Sequence, residues 1–344
     1  FVRFRGDTVR TASWSDPEKL PAWASTMLDR DAASIGKHPR NLSAYYHENS
    51  RGRFRIVGDV FYLTTDSTEE YYHERFLGRE TDRRGVIVRD ALRALDNPRG
   101  PYKVDFRRYD NWTHVAPHAH RPGRDGQVDM ICFLTRSYRQ NPYGSPDPRA
   151  ARYKDFARTA ADFNLPDGSM MFDGVRVNHS DGFVDGKGSG IMLFASNTDK
   201  LIHVYDSLAI RGGPRLYGEV IHEMSHYFFG AGHVGNSDVS LSATRYTSFL
   251  SGYSIHNGNA FSNFLGYEKL RMGWLDEKKN GGLRIVGSDE RDVTVTLADP
   301  SDTRTDAVHL VKLPFEKTDQ YLLFESRGWR GQFEPRVAAY NGPQ

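Results

Sequence analysis

The chain has 344 residues, 38% hydrophobic and 26% charged, which suits one large or two smaller globular domains and excludes an intrinsically disordered chain. The formal net charge is only +2, and no basic stripe with interleaved aromatics is present, so nucleic acid is not an expected partner. A single cysteine, Cys132, excludes an intrachain disulfide, and no apolar run approaches the length of a membrane-spanning helix, so no membrane span is expected.

At the start, Phe1-Val2-Arg3-Phe4, there is no Met and no signal peptide is visible, so the sequence reads as a processed or trimmed chain. Val2–Arg5 is a predicted first strand. Ser43–Ser50 is a predicted helix that ends near Gly52. Phe54–Leu63 alternates as a strand pair or one strand bent at Gly58. Gly85–Leu95 is a predicted amphipathic helix in which Val88, Ala91, Leu92 and Leu95 share a face. Val128–Leu134 is an apolar run that predicts a buried strand, with Cys132 in it as a small hydrophobe. Pro148–Phe163 is a predicted helix with Asp147 as its N-cap, and Ile191–Ala195 a short strand. A helix is predicted from Leu216 to Phe229, and another over Phe261–Met272. After Trp274 the pattern changes to short strands at Leu283–Val286, Val293–Leu297, Val308–Leu313 and Gln320–Phe324. The reading is an α+β part over residues 1–278 and a β-rich segment over 279–344. Asn41-Leu42-Ser43, Asn111-Trp112-Thr113 and Asn178-His179-Ser180 match the N-glycosylation pattern, which matters only in a eukaryotic secretory pathway.

The helix predicted from Leu216 carries His222-Glu223-Met224-Ser225-His226, the H-E-x-x-H pattern of zinc peptidases. On a helix, residues four apart project from one face, so His222 and His226 can bind one zinc ion. Glu223 lies about 100° round the helix, where it can act as general base on a water at the metal. Leu216, Val220, Met224 and Phe228 form a separate apolar face. Gly230 can stop the helix, and the turned chain can return His233 as third ligand. Asp238 and Glu268 are alternative third ligands. Three protein ligands leave one tetrahedral position open, as catalytic zinc requires.

Several further stretches share a resemblance. Ala44-Tyr45-Tyr46-His47-Glu48-Asn49-Ser50-Arg51-Gly52-Arg53-Phe54 comes first, and Ile56-Val57-Gly58-Asp59-Val60 continues it. Val104–Asn111, Asp125–Asp129, Tyr267–Leu275 and Gln320–Arg327 follow on either side of the motif. In this order, over roughly residues 40–327, the stretches resemble the immune inhibitor A family of secreted bacterial metallopeptidases, which are metzincin-like. The resemblance implies a metzincin-like catalytic domain with a mixed sheet and an active-site helix. It implies a secreted, extracellular zinc endopeptidase acting on protein or peptide, made with a propeptide. A monomer is expected.

Three positions depart from the family pattern. His233 stands seven residues after His226, one more than the family spacing. Gly252-Tyr253-Ser254-Ile255-His256 occupies the place of the family's methionine turn, with His256 at the Met position. His256 or Tyr253 can serve as proton donor or oxyanion stabiliser, or His256 can simply pack in a structural turn. The family's acidic loop suits Ca2+; here an insertion at 112–124, with His114, His118 and His120, divides it. Asp110, Asp125 and Asp129 remain to bind calcium or cap a turn. The insertion reads as an exposed loop, with a second transition metal on His118 and His120 as the other reading. Asn178–Gly190 is a flexible loop or a second calcium loop. From other classes, a non-catalytic secreted binding protein or adhesin retaining the fold competes with this reading, as does a zinc hydrolase of a non-protein substrate. The intact Glu223 favours catalysis.

Overall fold

The computed structural model describes residues 1–8, 14, 16–38, 41–68, 71–72, 82–116, 119–136, 169–178, 190–195, 220–221, 224–225, 227–228, 263–278, 281–299, 302, 304 and 306–326. For 82–85, 114–116, 119–120, 169, 178 and 190–195 it describes the backbone alone. The chain forms two compact units. One comprises Phe1–Ser25, Val60–Asp206 and Glu223–Ala231; the other comprises Thr26–Asp59, Ser207–His222 and Gly232–Gln344. The architecture is mixed α/β with small sheets. Among the described residues no helix is long and apolar enough to cross a membrane.

The first unit is organised on four parallel strands. These are β1 (Val2–Arg3), β2 (Leu63–Thr64), β5 (Met130–Thr135) and β8 (Gly190–Ala195), in the order β2-β1-β5-β8. Val2 pairs with both Leu63 and Thr135, so the start of the chain lies inside the sheet. β5 and β8 pair from Met130↔Gly190 to Thr135↔Ala195. The apolar run of β5 is buried over Phe133–Thr135 and half-buried over Met130–Cys132. Cys132 lies on this strand, where burial pushes its thiol up to about 12 and keeps it protonated.

The helix Asp82–Asp96 packs Val88, Ala91, Leu92 and Leu95 into the core of this unit, with Val2, Phe4, Phe106 and Phe133. Spacing at i, i+3, i+4 and i+7 puts those four on one face. Two hairpins accompany the sheet: β3 (Trp112–Ala116) with β4 (Ala119–Pro122), and β6 (Ser169–Phe172) with β7 (Val175–Asn178). The second closes on Asp173 and Gly174, with φ of 50° and 83°. Two successive positive φ values give the turn whose twist matches the strands, and Asp-Gly is a favoured pair for it.

Among the described residues of this unit, one ion pair is wholly buried. Arg136, just beyond β5, donates to Asp7 at 2.8 Å, with side chains 0% and 2% exposed. It also donates to the Trp14 carbonyl at 2.9 Å. This joins the first residues of the chain to the end of the central strand.

In the second unit the helix Leu42–Asn49 is capped by Asn41, whose side chain accepts from the Ala44 N–H at 2.7 Å. Arg51 (φ 56°) and Gly52 (φ 79°) then end it. Asn41 is 2% exposed, so this sequon asparagine is spent as a cap inside the fold. Tyr45, Tyr46, Phe54, Phe264 and Trp274 form an aromatic cluster with centroid separations of 5.4–6.2 Å. Edge and tilted contacts of this kind suit the ring quadrupoles. Asn49 fixes the returning chain: it donates to Asn263 Oδ1 and accepts from the Phe264 N–H, both at 2.9 Å. The sheet of this unit is mixed, with β10 (Leu310–Pro314) antiparallel to β11 (Tyr321–Glu325) and parallel to β9 (Leu283–Ile285).

Several predicted elements change. Residues 54–62 form no strand, and only Leu63–Thr64 does. Their backbone bonds go elsewhere: the Gly58 N–H donates to Asp29 and the Leu63 N–H to Phe1. Val293–Leu297 reduces to one bridge between Leu297 and Val308, and Val293 is 40% exposed. The helix expected from Phe261 runs from Gly266 to Arg271, because the Glu268 carboxylate accepts from the Leu265 N–H and sets its start. The insertion at 112–124 is largely the β3–β4 hairpin, with a register irregularity between His114 and Ala116. The helix at Pro148–Phe163, with Asp147, lies outside the described residues.

Candidate functional site

The described residues of the motif segment are Val220, Ile221, Met224, Ser225, Tyr227 and Phe228, and all six are helical. They are also buried, at 0–8% exposure. Val220, Met224 and Phe228 supply the apolar face expected from their i+4 spacing. Ile221, Ser225 and Tyr227 are buried as well, which the periodicity alone did not indicate. His222, Glu223, His226, His233, Tyr253 and His256 lie outside the described residues, as does Asp238.

Two tyrosines hold this segment, each within its own unit. In the second unit the Tyr46 hydroxyl donates to the Ile221 carbonyl at 3.1 Å. In the first unit the Tyr227 hydroxyl donates to the Asp129 carbonyl at 3.1 Å, and the Phe228 ring lies 6.3 Å from that of Trp112. A buried phenol needs a partner for its hydroxyl, so a Tyr within an apolar helix face was a readable signal. Its partner, 98 residues away, was not.

The acidic loop is built as a set of turn caps. Asp110 accepts from the N–H groups of Asp125 and Gly126 at 3.0 and 3.1 Å. Asp129 accepts from Asn111 and Trp112 at 2.9 and 3.1 Å, and Asp125 from Gln127 at 3.0 Å. Burial pushes the Asp129 carboxyl up to about 7; the charges of Asp110 and Asp125 add to the rise, against the two N–H bonds it receives. Among the described residues no group of three or more His, Cys, Asp or Glu could hold a metal ion. His118 and residues 179–189, the other calcium or metal readings, lie outside the described residues. Glu268, an alternative third ligand, is 4% exposed and uses an oxygen on Leu265.

The chain matches no protein-family model, no curated protein and no solved structure.

Proposed function

We propose that this chain is a secreted zinc-dependent endopeptidase of the immune inhibitor A type, with a metzincin-like catalytic part. The observation that carries the reading is the H-E-x-x-H spacing of residues 222–226, set among six neighbours that are helical and buried. A helix is the setting in which that spacing gives two ligands on one face. Neutral imidazoles from His222, His226 and His233 form a donor set suited to zinc.

When bound, the zinc lowers the pKa of water and polarises a carbonyl oxygen. Glu223 takes a proton from the attacking water and returns it to the nitrogen of the leaving amine. Tyr253 or His256 supplies a hydrogen bond to the oxyanion that forms at the scissile carbonyl. Protein or peptide is the substrate.

The test is cleavage of a mixed peptide library by the zinc-loaded chain, with Glu223→Ala alongside, read by mass spectrometry. Cleavage by the wild type alone is the expected result. Equal cleavage by both would sink the assignment of Glu223, and cleavage by neither would favour a binding protein or a non-peptide substrate.

A further inference from the structure

Tyr227 directly follows His226 and is 1% exposed, with its hydroxyl on the Asp129 carbonyl at 3.1 Å. That carbonyl is a fixed point. The Asp129 N–H donates to the Tyr109 carbonyl at 2.7 Å. Its carboxylate holds the N–H groups of Asn111 and Trp112. The next residue, Met130, begins β5, paired along its length with β8. Phe228 makes a second contact to the same turn through Trp112. The turn itself is closed by Asp110 on Asp125 and Gly126.

We infer that Tyr227 is a positioning residue for the metal site: its hydroxyl ties the motif helix to the Asp129 turn and thereby sets the rotation at which His226 meets the metal. The inference rests on the zinc-peptidase reading above. Metal ligands tolerate errors of only about 0.5 Å or 10–20°. Without a directional bond beside that ligand, a helix can slide or turn by more than that. A directional bond one residue from the ligand removes this freedom at the place where it matters.

The experiment uses the full chain and Tyr227→Phe, which keeps the ring and deletes the anchor. Zinc affinity is measured by chelator competition, the visible spectrum is recorded on the cobalt-substituted protein, and metal-free melting is followed by circular dichroism. The expected result is zinc binding weakened about tenfold, the lower end of what outer-shell changes cost. The cobalt bands should also shift, while the metal-free melt stays close to wild type. Unchanged affinity together with an unchanged cobalt spectrum would overturn the inference. If Tyr227→Phe fails to fold, Trp112→Leu loosens the same turn beneath Phe228; it should weaken zinc in the same direction, and no change would overturn the inference. His222→Ala separates the two readings. Wild type that binds no zinc, or zinc binding that survives His222→Ala, overturns the peptidase reading and this inference with it. Binding that depends on His222 but ignores Tyr227→Phe overturns the positioning role alone.

Discussion

At the scale of single residues, the buried Asp7–Arg136 pair sets the largest expected effect. Removing one partner of a buried pair strands the other charge, at a cost of about 3–5 kcal/mol. Asp7→Ala should lower the urea unfolding free energy by that amount, and the double variant Asp7→Leu, Arg136→Met should recover much of it. Two titrating groups act in opposite senses. His309 is buried, and burial first, then the charges of Arg51 and Lys269, lower it from 6.5 to about 4. The unfolded chain therefore takes up this proton first. Stability present above 6.5 is lost as pH falls toward 4. Relative to His309→Gln, the wild type should lose ground over that window in denaturant titrations. Asp129 is raised from 3.8 to about 7, so the folded state binds its proton more tightly and gains stability as pH falls from about 7 toward 3.8. Asp129→Asn should accordingly gain on the wild type as pH rises from 3.8 to about 7 and level off above that. The residue types were legible as titratable, but their shifts come from neighbours far along the chain.

At the scale of elements, local pattern and local chemistry carried most of the assignment. The helix Asp82–Asp96 follows from its 3.6-residue periodicity, and the strands β5 and β8 follow from continuous apolar runs in the sequence. The Asp173-Gly174 turn carries an equally local signal in its Asp-Gly pair. Two glycines with similar φ test how much the surroundings add. Gly174 (φ 83°) has nothing within 4 Å of an added Cβ, so Gly174→Ala should cost about 1–2 kcal/mol from backbone strain alone. Gly282 (φ 82°) would place a Cβ 2.7 Å from Leu275 Cδ2 and 3.3 Å from His309, so Gly282→Ala should cost more. Thermal melts of the two variants check the ranking. Residues 54–62 show the opposite failure of local reading. Their alternation resembles a strand, but Gly58 and Leu63 donate to Asp29 and Phe1 instead of to a ladder.

At the scale of the whole molecule, metal removal is the informative perturbation. A ligand that binds only the folded state stabilises it by mass action. A chelator should therefore lower the melting temperature of the zinc-loaded wild type and leave His222→Ala, His226→Ala unmoved; equal shifts in both would place the metal elsewhere. The sequence by itself determined the helical periodicity around residue 88, the apolar run of β5 and the H-E-x-x-H spacing, because these depend on neighbours within a turn or two. Only the tertiary structure decided that β1 sits between β2 and β5, that Asp7 neutralises Arg136 across 129 residues, and that Tyr227 reaches Asp129. It also decided that each compact unit is assembled from separated stretches of chain. Periodicity reports which face of an element is apolar, whereas the partner that covers that face depends on the path of the chain, which no local pattern encodes.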